Sequence, residues 1–475
     1  MMSESKRLHP IAILFNFVVI IRHYVFAIIA GFFAMRDQAL LTFILVTLGV
    51  FVLFFVGSML SWYRFTYRVE DDELRIEHGV FIRKKRYISK NRIQSIDLTA
   101  NVIHRMLKLV KVQIETAGSG DGAEASLAAV SLREGERLRD ELKDNTHFDT
   151  DSVPSDHEEK KPSFKISFKR LFIAGSTSGS IGVILAVAAV GFSELEQFIP
   201  DHIYDDTIAW IISLSIILIV FIVCGILLFL WLLGIAGTMI KYGHFTITNN
   251  GEELFITRGL LEKKQITIPL KRIQAIGIKE SVLRQPLGFV SVYAVVAGGS
   301  MDKGEDFPIL FPLLRKAEVE SFLQQLLPDY AGGLNQELSH LPKRSRKFYI
   351  YRSSAVFVIF TCIVGYFFPQ FIWVPVILLL ISIYFGILRY KDNGFSLEEK
   401  RLTICYRAMS KMTMIMYHNR IQAFEKSQHK IQALQALTSI QVSVIGSMGN
   451  GTHYTIKDLE QEDANHLADW YSYRK

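Results

Sequence analysis

The chain has 475 residues, of which 50% are hydrophobic and 21% are charged, and its formal net charge is +7. An apolar fraction this high excludes an ordinary soluble protein, and the length allows several domains. Lys and Arg are spread along the chain and concentrate beside the hydrophobic segments, so the positive charge suits a membrane surface better than a nucleic acid.

Six segments meet or approach the roughly 20 apolar residues that a helix needs to cross a bilayer. They form three pairs of predicted transmembrane helices, at residues 11–35 and 40–62, 171–192 and 208–239, and 354–368 and 371–388. The connection of the second pair carries acidic residues without Lys or Arg, whereas basic residues crowd the opposite ends of all three pairs. The positive-inside rule therefore places the hairpin tips outside, and both termini and all large polar regions in the cytoplasm.

Three polar residues interrupt the first predicted span. Arg22 and His23 lie in its middle, where a charged side chain is costly, and Asn16 shares a helix face with His23. Three interpretations stay open: the segment before Arg22 lies in the membrane interface, Arg22 snorkels or pairs within the bundle, or the three residues form an intramembrane polar site.

The tripeptide Arg-Ile-Gln occurs three times, at residues 92–94, 272–274 and 420–422. An Ile stands 18 residues before each Gln, and a Gly stands 24 residues after it. Constant spacing on both sides predicts three copies of one module. The first two copies have Gly79 and Gly259 at one turn where the third has Arg407, so that turn is expected to differ. A Met-rich run at residues 409–416 also puts the equivalence of the third module in doubt.

Alternation with a period of two predicts strands in the first copy at residues 65–77, 81–88, 93–98, 110–117 and 125–132. Their short turns predict antiparallel pairing, and a charged segment closes each copy as a helix, at residues 134–143, 316–327 and 460–470. Such a module is typically a small barrel or sandwich covered by its helix. The predicted fold class is an α+β membrane protein with three repeats of a transmembrane helical hairpin plus a small antiparallel β-barrel or sandwich domain with a C-terminal helix.

The predicted domain order follows from these segments. It is hairpin 1 at 1–62, module 1 at 63–144, a flexible linker at 145–168, hairpin 2 at 169–240, module 2 at 241–330, a linker with hairpin 3 at 331–390, and module 3 at 391–475. The first linker is predicted because residues 145–161 are rich in Asp, Glu, Ser and Lys and poor in apolar side chains.

The hairpins, the segment Asn-Arg-Ile-Gln-Ser-Ile at residues 91–96 and the triplication resemble the bacterial pleckstrin-homology-like (PH-like) multi-pass membrane proteins of the YdbT type, over nearly the whole chain. This resemblance implies a PH-like fold for each module and a location in the bacterial cell membrane. It also implies a smaller single-domain relative as a partner, beside membrane lipids, and no catalytic residues.

Two groups of residues are candidate contacts with the membrane surface or a partner. One group is the basic cluster at residues 83–86, where each basic residue near an anionic leaflet contributes about 1 kcal/mol of binding free energy. The alternative is that this cluster is an ordinary solvated face. The Arg and Gln of each tripeptide offer a guanidinium fork and an amide, but we favour the alternative that the Ile is core and its neighbours form cross-strand pairs. The first group is Arg83, Lys84, Lys85 and Arg86, and the second is Arg92, Gln94, Arg272, Gln274, Arg420 and Gln422.

No catalytic or metal-binding pattern is present. The Gly-rich run at residues 118–122 lacks the Lys-Ser/Thr ending of a phosphate loop, and the three Cys and 13 His residues show no ligand spacing. We therefore expect no enzyme, no cofactor and no metal. The first hypothesis is a non-enzymatic plasma-membrane scaffold whose cytoplasmic modules bind lipid headgroups, partner proteins or each other, in envelope maintenance or defence. The alternative is a six-helix transporter or export component that uses the polar residues of the first span, with a membrane enzyme third.

Overall fold

The computed structural model describes residues 5–34, 40–116, 125–143, 162–179, 216–298, 307–334, 337–446 and 451–472. The chain forms two compact units, Met1–Lys160 with Leu261–Pro269, and Lys161–Leu260 with Leu270–Lys475. Of the flexible linker predicted at 145–168, residues 145–161 lie outside the described residues, as do the tip of the second hairpin and the Gly-rich run at 118–122. The end of that linker prediction is wrong, because Ser163–Lys165 form a strand that pairs with residues 246–248.

Four described helices are long and apolar enough to cross a membrane: Leu41–Arg64, Val220–Tyr242, Lys343–Phe367 and Trp373–Asp392. A shorter apolar stretch, Ala12–Ile28, begins one further helix that runs to Ala34. Helices that are apolar on every side are typical of membrane spans, because no face has to meet water. Five predicted spans thus overlap a described apolar helix, while most of the span predicted at 171–192 lies outside the described residues.

In the first unit, two helices lead into a four-stranded antiparallel sheet of order β1-β2-β3-β4. These elements are α1 (Ala12–Ala34), α2 (Leu40–Arg64), β1 (Lys6–Arg7), β2 (Thr66–Glu70), β3 (Glu73–His78) and β4 (Lys84–Ser89). The single strand predicted at 65–77 is wrong, because it is the hairpin β2–β3. Asp71 and Asp72 turn the chain there with φ of 49° and 59°, the left-handed conformation that both central residues of a tight hairpin turn adopt.

A second antiparallel sheet in the first unit has the order β7-β6-β5-β11. Its elements and the two helices beside it are β5 (Ile93–Ala100), α3 (Val102–Met106), β6 (Leu109–Thr116), β7 (Ala125–Ser131), α4 (Leu132–Lys143) and β11 (Lys263–Pro269). Leu138 and Leu142 of helix α4 are buried in a hydrophobic core. Residues of both sheets belong to the same core, for example Leu74 and Ile96. The predicted closing helix at 134–143 therefore covers the first module.

The second unit repeats this plan in three antiparallel sheets. A three-stranded sheet has the order β10-β9-β8, a seven-stranded sheet the order β14-β13-β12-β18-β17-β16-β15, and a three-stranded sheet the order β19-β20-β21. The strands are β8 (Ser163–Lys165), β9 (Thr246–Asn249), β10 (Glu253–Arg258), β12 (Ile273–Glu280), β13 (Phe289–Val296), β14 (Ile309–Arg315), β15 (Ser339–His340), β16 (Gly394–Leu397), β17 (Arg401–Arg407), β18 (Lys411–Tyr417), β19 (Ile421–Ser427), β20 (Leu437–Ile445) and β21 (Gly451–Glu460). The helices are α5 (Phe168–Ser176), α6 (Ile216–Tyr242), α7 (Val319–Leu326), α8 (Arg346–Phe367), α9 (Trp373–Asp392), α10 (Lys430–Ala433) and α11 (Gln461–Ser472).

Sheets are shared between consecutive modules, which the sequence did not indicate. The third strand of module 2, β11, pairs with β5 of module 1, and the third strand of module 3, β18, pairs with β12 of module 2. We call these pairings the first and second junctions. At the second junction the sheet is continuous from β14 to β15, so modules 2 and 3 are joined through backbone hydrogen bonds as well as through the chain.

Candidate functional site

The turn between β3 and β4 of module 1 carries the predicted basic cluster, and we call residues 81–86 the basic tip. Phe81 and Ile82 are 99% and 74% exposed, and the four cations that follow them are exposed as well. Gly79 allows the turn, because its φ is 112° and a Cβ there would stand 2.0 Å from the carbonyl oxygen of Ile82. The tip thus combines Phe81, Ile82 and Arg83 of the exposed turn with Lys84, Lys85 and Arg86 at the start of β4.

The basic tip lies at the end of module 1 where α2 enters it. The ring of Phe65, one residue after α2, stacks on the ring of His78 at the end of β3, with centroids 6.2 Å apart. In the second unit the equivalent turn is tied directly to a long apolar helix, since Leu260 N–H donates to the carbonyl of Ile240 at 2.9 Å. The turns between the second and third strands therefore lie beside the ends of membrane-length helices.

Charge at the basic tip shifts two neighbouring pKa values. Burial raises the pKa of Glu77, but this effect is outweighed by the hydrogen bond and charge of Arg83 and by the charge of Lys85, 3.5 Å away. The pKa of Glu77 therefore lies below its ordinary value. Burial, and then the charges of Arg86 and Lys84, lower the pKa of His78. The tip therefore keeps a net positive charge at neutral pH, since the carboxylate of Glu77 balances only one of its four cations, through contacts with Arg83 and Lys85.

In all three Arg-Ile-Gln copies the Arg is the last residue of a one-turn 3-10 helix that connects the third strand to the fourth, and the Ile begins the fourth strand. In module 2, Arg272 Nε donates to the carbonyl of Ala297 at 2.8 Å, and the amide of Gln274 donates to the carbonyl of Arg272 at 3.0 Å. Gln422 makes the same contact to Arg420 at 3.5 Å, and its side chain is exposed. Arg92 is exposed and Gln94 half-buried. In modules 2 and 3 these contacts shape the turn itself.

Arg407 shows why the third module has no glycine at that position. Its side chain is 3% exposed, binds the carboxylate of Asp392 at the end of α9, and donates to Oε1 of Gln285 in module 2 at 2.9 Å. Positive φ is recorded for Gly79 and Gly259 but not for Arg407, among the described residues. The predicted difference in the turn is therefore confirmed, and the arginine links module 3 to module 2.

A cavity of about 570 Å³ lies in the second unit between the helices α5 and α6 and module 2. Arg284 forms one wall, where Nε donates to Oγ1 of Thr177 at 3.0 Å and Nη2 donates to the carbonyl of Ala174 at 3.1 Å. Lys241, at the end of α6, and Lys279 add two further cations to a lining that is mostly apolar. Sequence patterns gave no signal for this cavity, because its walls come from segments more than 100 residues apart.

The polar residues of the first span lie on the continuous helix α1. Its first turn packs on module 1, where the ring of Phe15 stacks on that of His104 with centroids 4.1 Å apart. Arg22 and His23 are exposed on the helix surface, Asn16 is half-buried, and His23 Nδ1 contacts the carbonyl of Val19 at 2.7 Å. Among the described residues, no group of three or more His, Cys, Asp or Glu could hold a metal ion.

Comparison with known proteins assigns the family. The Bacterial PH domain model matches three segments, residues 19–146, 185–329 and 355–475. The chain belongs to the bacterial PH domain family. It is also 37% identical to the UPF0699 transmembrane protein YdbT of Bacillus subtilis (strain 168) over 497 residues, which cover 100% of this chain and 99% of that protein. The predicted resemblance, the three PH-like repeats and the α+β membrane fold class are confirmed.

Proposed function

We propose that this membrane protein is a non-enzymatic, multi-pass scaffold of the bacterial plasma membrane whose PH-like modules face the cytoplasm, where they bind anionic phospholipid headgroups and one another. The basic tip carries the proposal. Four exposed cations follow two exposed apolar side chains at the membrane end of module 1, and at about 1 kcal/mol for each basic residue they would hold that turn against an anionic leaflet.

Three further observations support this proposal. The cavity beside module 2 places Lys241, Lys279 and Arg284 near the end of a membrane-length helix. These cations would bind the phosphate of a phospholipid, and the apolar part of the lining would contact the start of its acyl chains. Lys and Arg also crowd the module side of each hairpin, which favours a cytoplasmic orientation. The first and second junctions support binding between modules.

The experiment uses the full chain in lipid nanodiscs. Phe81→Cys is introduced after Cys224, Cys362 and Cys405 are replaced by Ser, and the new thiol carries an environment-sensitive fluorophore. We expect a blue-shifted emission, and quenching by bilayer-embedded quenchers, in discs that contain phosphatidylglycerol but not in discs of phosphatidylcholine alone. Salt should weaken the shift, because exposed charges are screened within about 8–10 Å at physiological ionic strength.

The matched variants separate this site from general basicity. Replacing the four cations of the basic tip with Gln should abolish the shift. Lys90→Gln with Arg92→Gln, at the opposite end of β4, should leave it unchanged. Equal emission in both lipids, or an equal loss in the Lys90 and Arg92 control, would refute the proposal.

A further inference from the structure

Among the described strands, two stand at sheet edges although their counterparts in other modules pair across a junction. The third strand of module 1, β4, is the last strand of its four-stranded sheet. The fourth strand of module 3, β19, is the last strand of its three-stranded sheet. In the junctions, the same two kinds of strand pair with each other: β11 with β5, and β18 with β12. Within the part of the chain that the structure describes, β4 therefore pairs with β3 alone and β19 with β20 alone, without the strand that a junction adds.

Both junctions use the same register. Lys263 pairs with Ala100 at the first junction and Lys411 pairs with Glu280 at the second. In both pairs, one residue lies nine positions before the Arg of its tripeptide, and the other lies eight positions after the Arg of the preceding copy. A repeated register shows that the pairing is a property of the module, because a slip of one residue would turn every side chain to the opposite face.

We propose that β19 of one chain pairs antiparallel with β4 of a second copy of the chain, in this register, and so forms a third junction between molecules. The register places Tyr87 opposite Phe424 and Arg86 opposite Glu425. An aromatic pair and an oppositely charged pair are both favourable cross-strand neighbours. This inference concerns assembly and does not depend on lipid binding by the basic tip.

The second junction buries side chains whose counterparts on β4 and β19 are partly exposed. Ile276 and Ile415 pair there and are both 0% exposed. The residues at the same positions of the open edges are Phe424, which is half-buried, and Tyr87, which is 56% exposed. Large apolar side chains thus occupy the positions that a junction buries, and a partner strand would remove them from water.

A carboxylate of β5 that accepts a hydrogen bond across the first junction has a counterpart at the same position of β19. At the first junction, Oδ1 of Asp97 accepts the backbone N–H of Thr267 at 3.1 Å. Glu425 stands at the position of Asp97, and Tyr87 at the position of Thr267. The open edge of β19 therefore retains the acceptor that the first junction uses.

The lysines of β4 do not exclude pairing, although Lys is a common protection of edge strands. Lys263 and Lys264 begin β11, and Lys411 begins β18, and both strands are paired. The register does set Lys85 opposite Lys426. Each has an acceptor in its own chain, since Lys85 lies 3.5 Å from Glu77 and Lys426 donates to Asn465.

A second copy fits both open edges, because every chain carries one β4 and one β19. A protein with a single module of this family would offer the same kinds of strand, so the test must distinguish it from a second copy. Confinement of both chains to one membrane plane raises their effective concentration and favours association through a short strand pair.

Disulfide trapping tests the register in the full chain. Two differently tagged copies are co-expressed without native cysteines, one with Tyr87→Cys and the other with Phe424→Cys. Directly opposite residues have Cβ atoms about 4.5–5.5 Å apart, close enough for cross-linking. The control pairs Tyr87→Cys with Gln428→Cys, about 13 Å away along the strand. We expect a disulfide that joins the two tags for residues 87 and 424, in at least about tenfold excess over the control.

Charge exchange provides a second readout that does not need cysteine. Arg86→Glu and Glu425→Arg should each weaken association about fivefold, because like charges then face each other, and the double variant should restore it. Absence of the disulfide joining residues 87 and 424, equal yields in the control, or no rescue by the double variant would overturn the proposal. So would purification of the wild-type chain as a monomer with a different, single-module protein bound to β19.

Discussion

Arg407 provides a direct test of the contacts that hold β17 of module 3 to the end of α9 and to module 2. The change is Arg407→Met, which keeps most of the volume and removes the charge. Breaking a buried ion pair costs about 3–5 kcal/mol when the remaining charge is left alone. Lys411 stays 3.3 Å from the other oxygen of Asp392, so the lower end of that range applies. Loss of the 2.9 Å hydrogen bond to Gln285 adds about 1 kcal/mol, which gives about 4 kcal/mol in all.

The assay is thermal denaturation of the detergent-solubilised chain, followed by fluorescence-detected gel filtration. We expect the Arg407→Met midpoint to fall by about 5 °C or more. Lys400→Met removes an exposed charge in the turn before β17 and should change little. Asp392→Asn, alone and combined with Arg407→Met, measures the coupling between the two groups. If Arg407→Met leaves the midpoint unchanged, or if the two variants are strictly additive, the stabilising ion pair assigned to Arg407 and Asp392 is refuted.

Two further predictions test packing at the second junction and the electrostatics of the basic tip. Gly277→Ala places a Cβ 2.1 Å from Cζ of Tyr293 and should destabilise the chain by about 1–3 kcal/mol, whereas Gly225→Ala, with nothing within 4 Å, should be tolerated in thermal denaturation. Because the folded-state pKa of His78 lies below its ordinary value of 6.5, the unfolded chain binds a proton first as pH falls. Stability should then decline from about pH 6.5 down to the folded pKa, and Arg86→Gln should raise the pKa of His78 in NMR titrations and shrink that loss.

The sequence was sufficient for the elements that depend on local pattern. Apolar length placed the membrane helices, although Arg346 begins α8 eight residues before the predicted start because a helix can continue beyond the bilayer. The spacing around Arg-Ile-Gln placed all three modules. The hairpin at Asp71 and Asp72 was missed, because residues on both sides of that turn continue the same alternation and no glycine marks it.

The junctions could not be predicted in the same way. Alternation shows which face of β5 or β12 is buried but carries no information about which strand lies beside it. Met414 and Met416 of the Met-rich run that made module 3 look different are buried at the second junction, where Tyr293 O–H donates to Sδ of Met414 at 3.1 Å. Methionine adapts to irregular gaps, so this strand keeps the register of β11 with a different composition.

Sharing strands explains why the modules occur as a tandem. If the third and fourth strands of a module paired with each other, the module would be a closed domain. A second module linked to it would then be an independent domain. Here the short 3-10 turn at each Arg-Ile-Gln sends the fourth strand into a second sheet, so its edge is left for the next module. Each added module therefore satisfies the backbone groups of the one before it, as in repeat proteins whose stability depends on neighbour interfaces. Among the described strands, such a tandem leaves β4 and β19 each paired on one side, and these two edges are where a second chain would add the next junction.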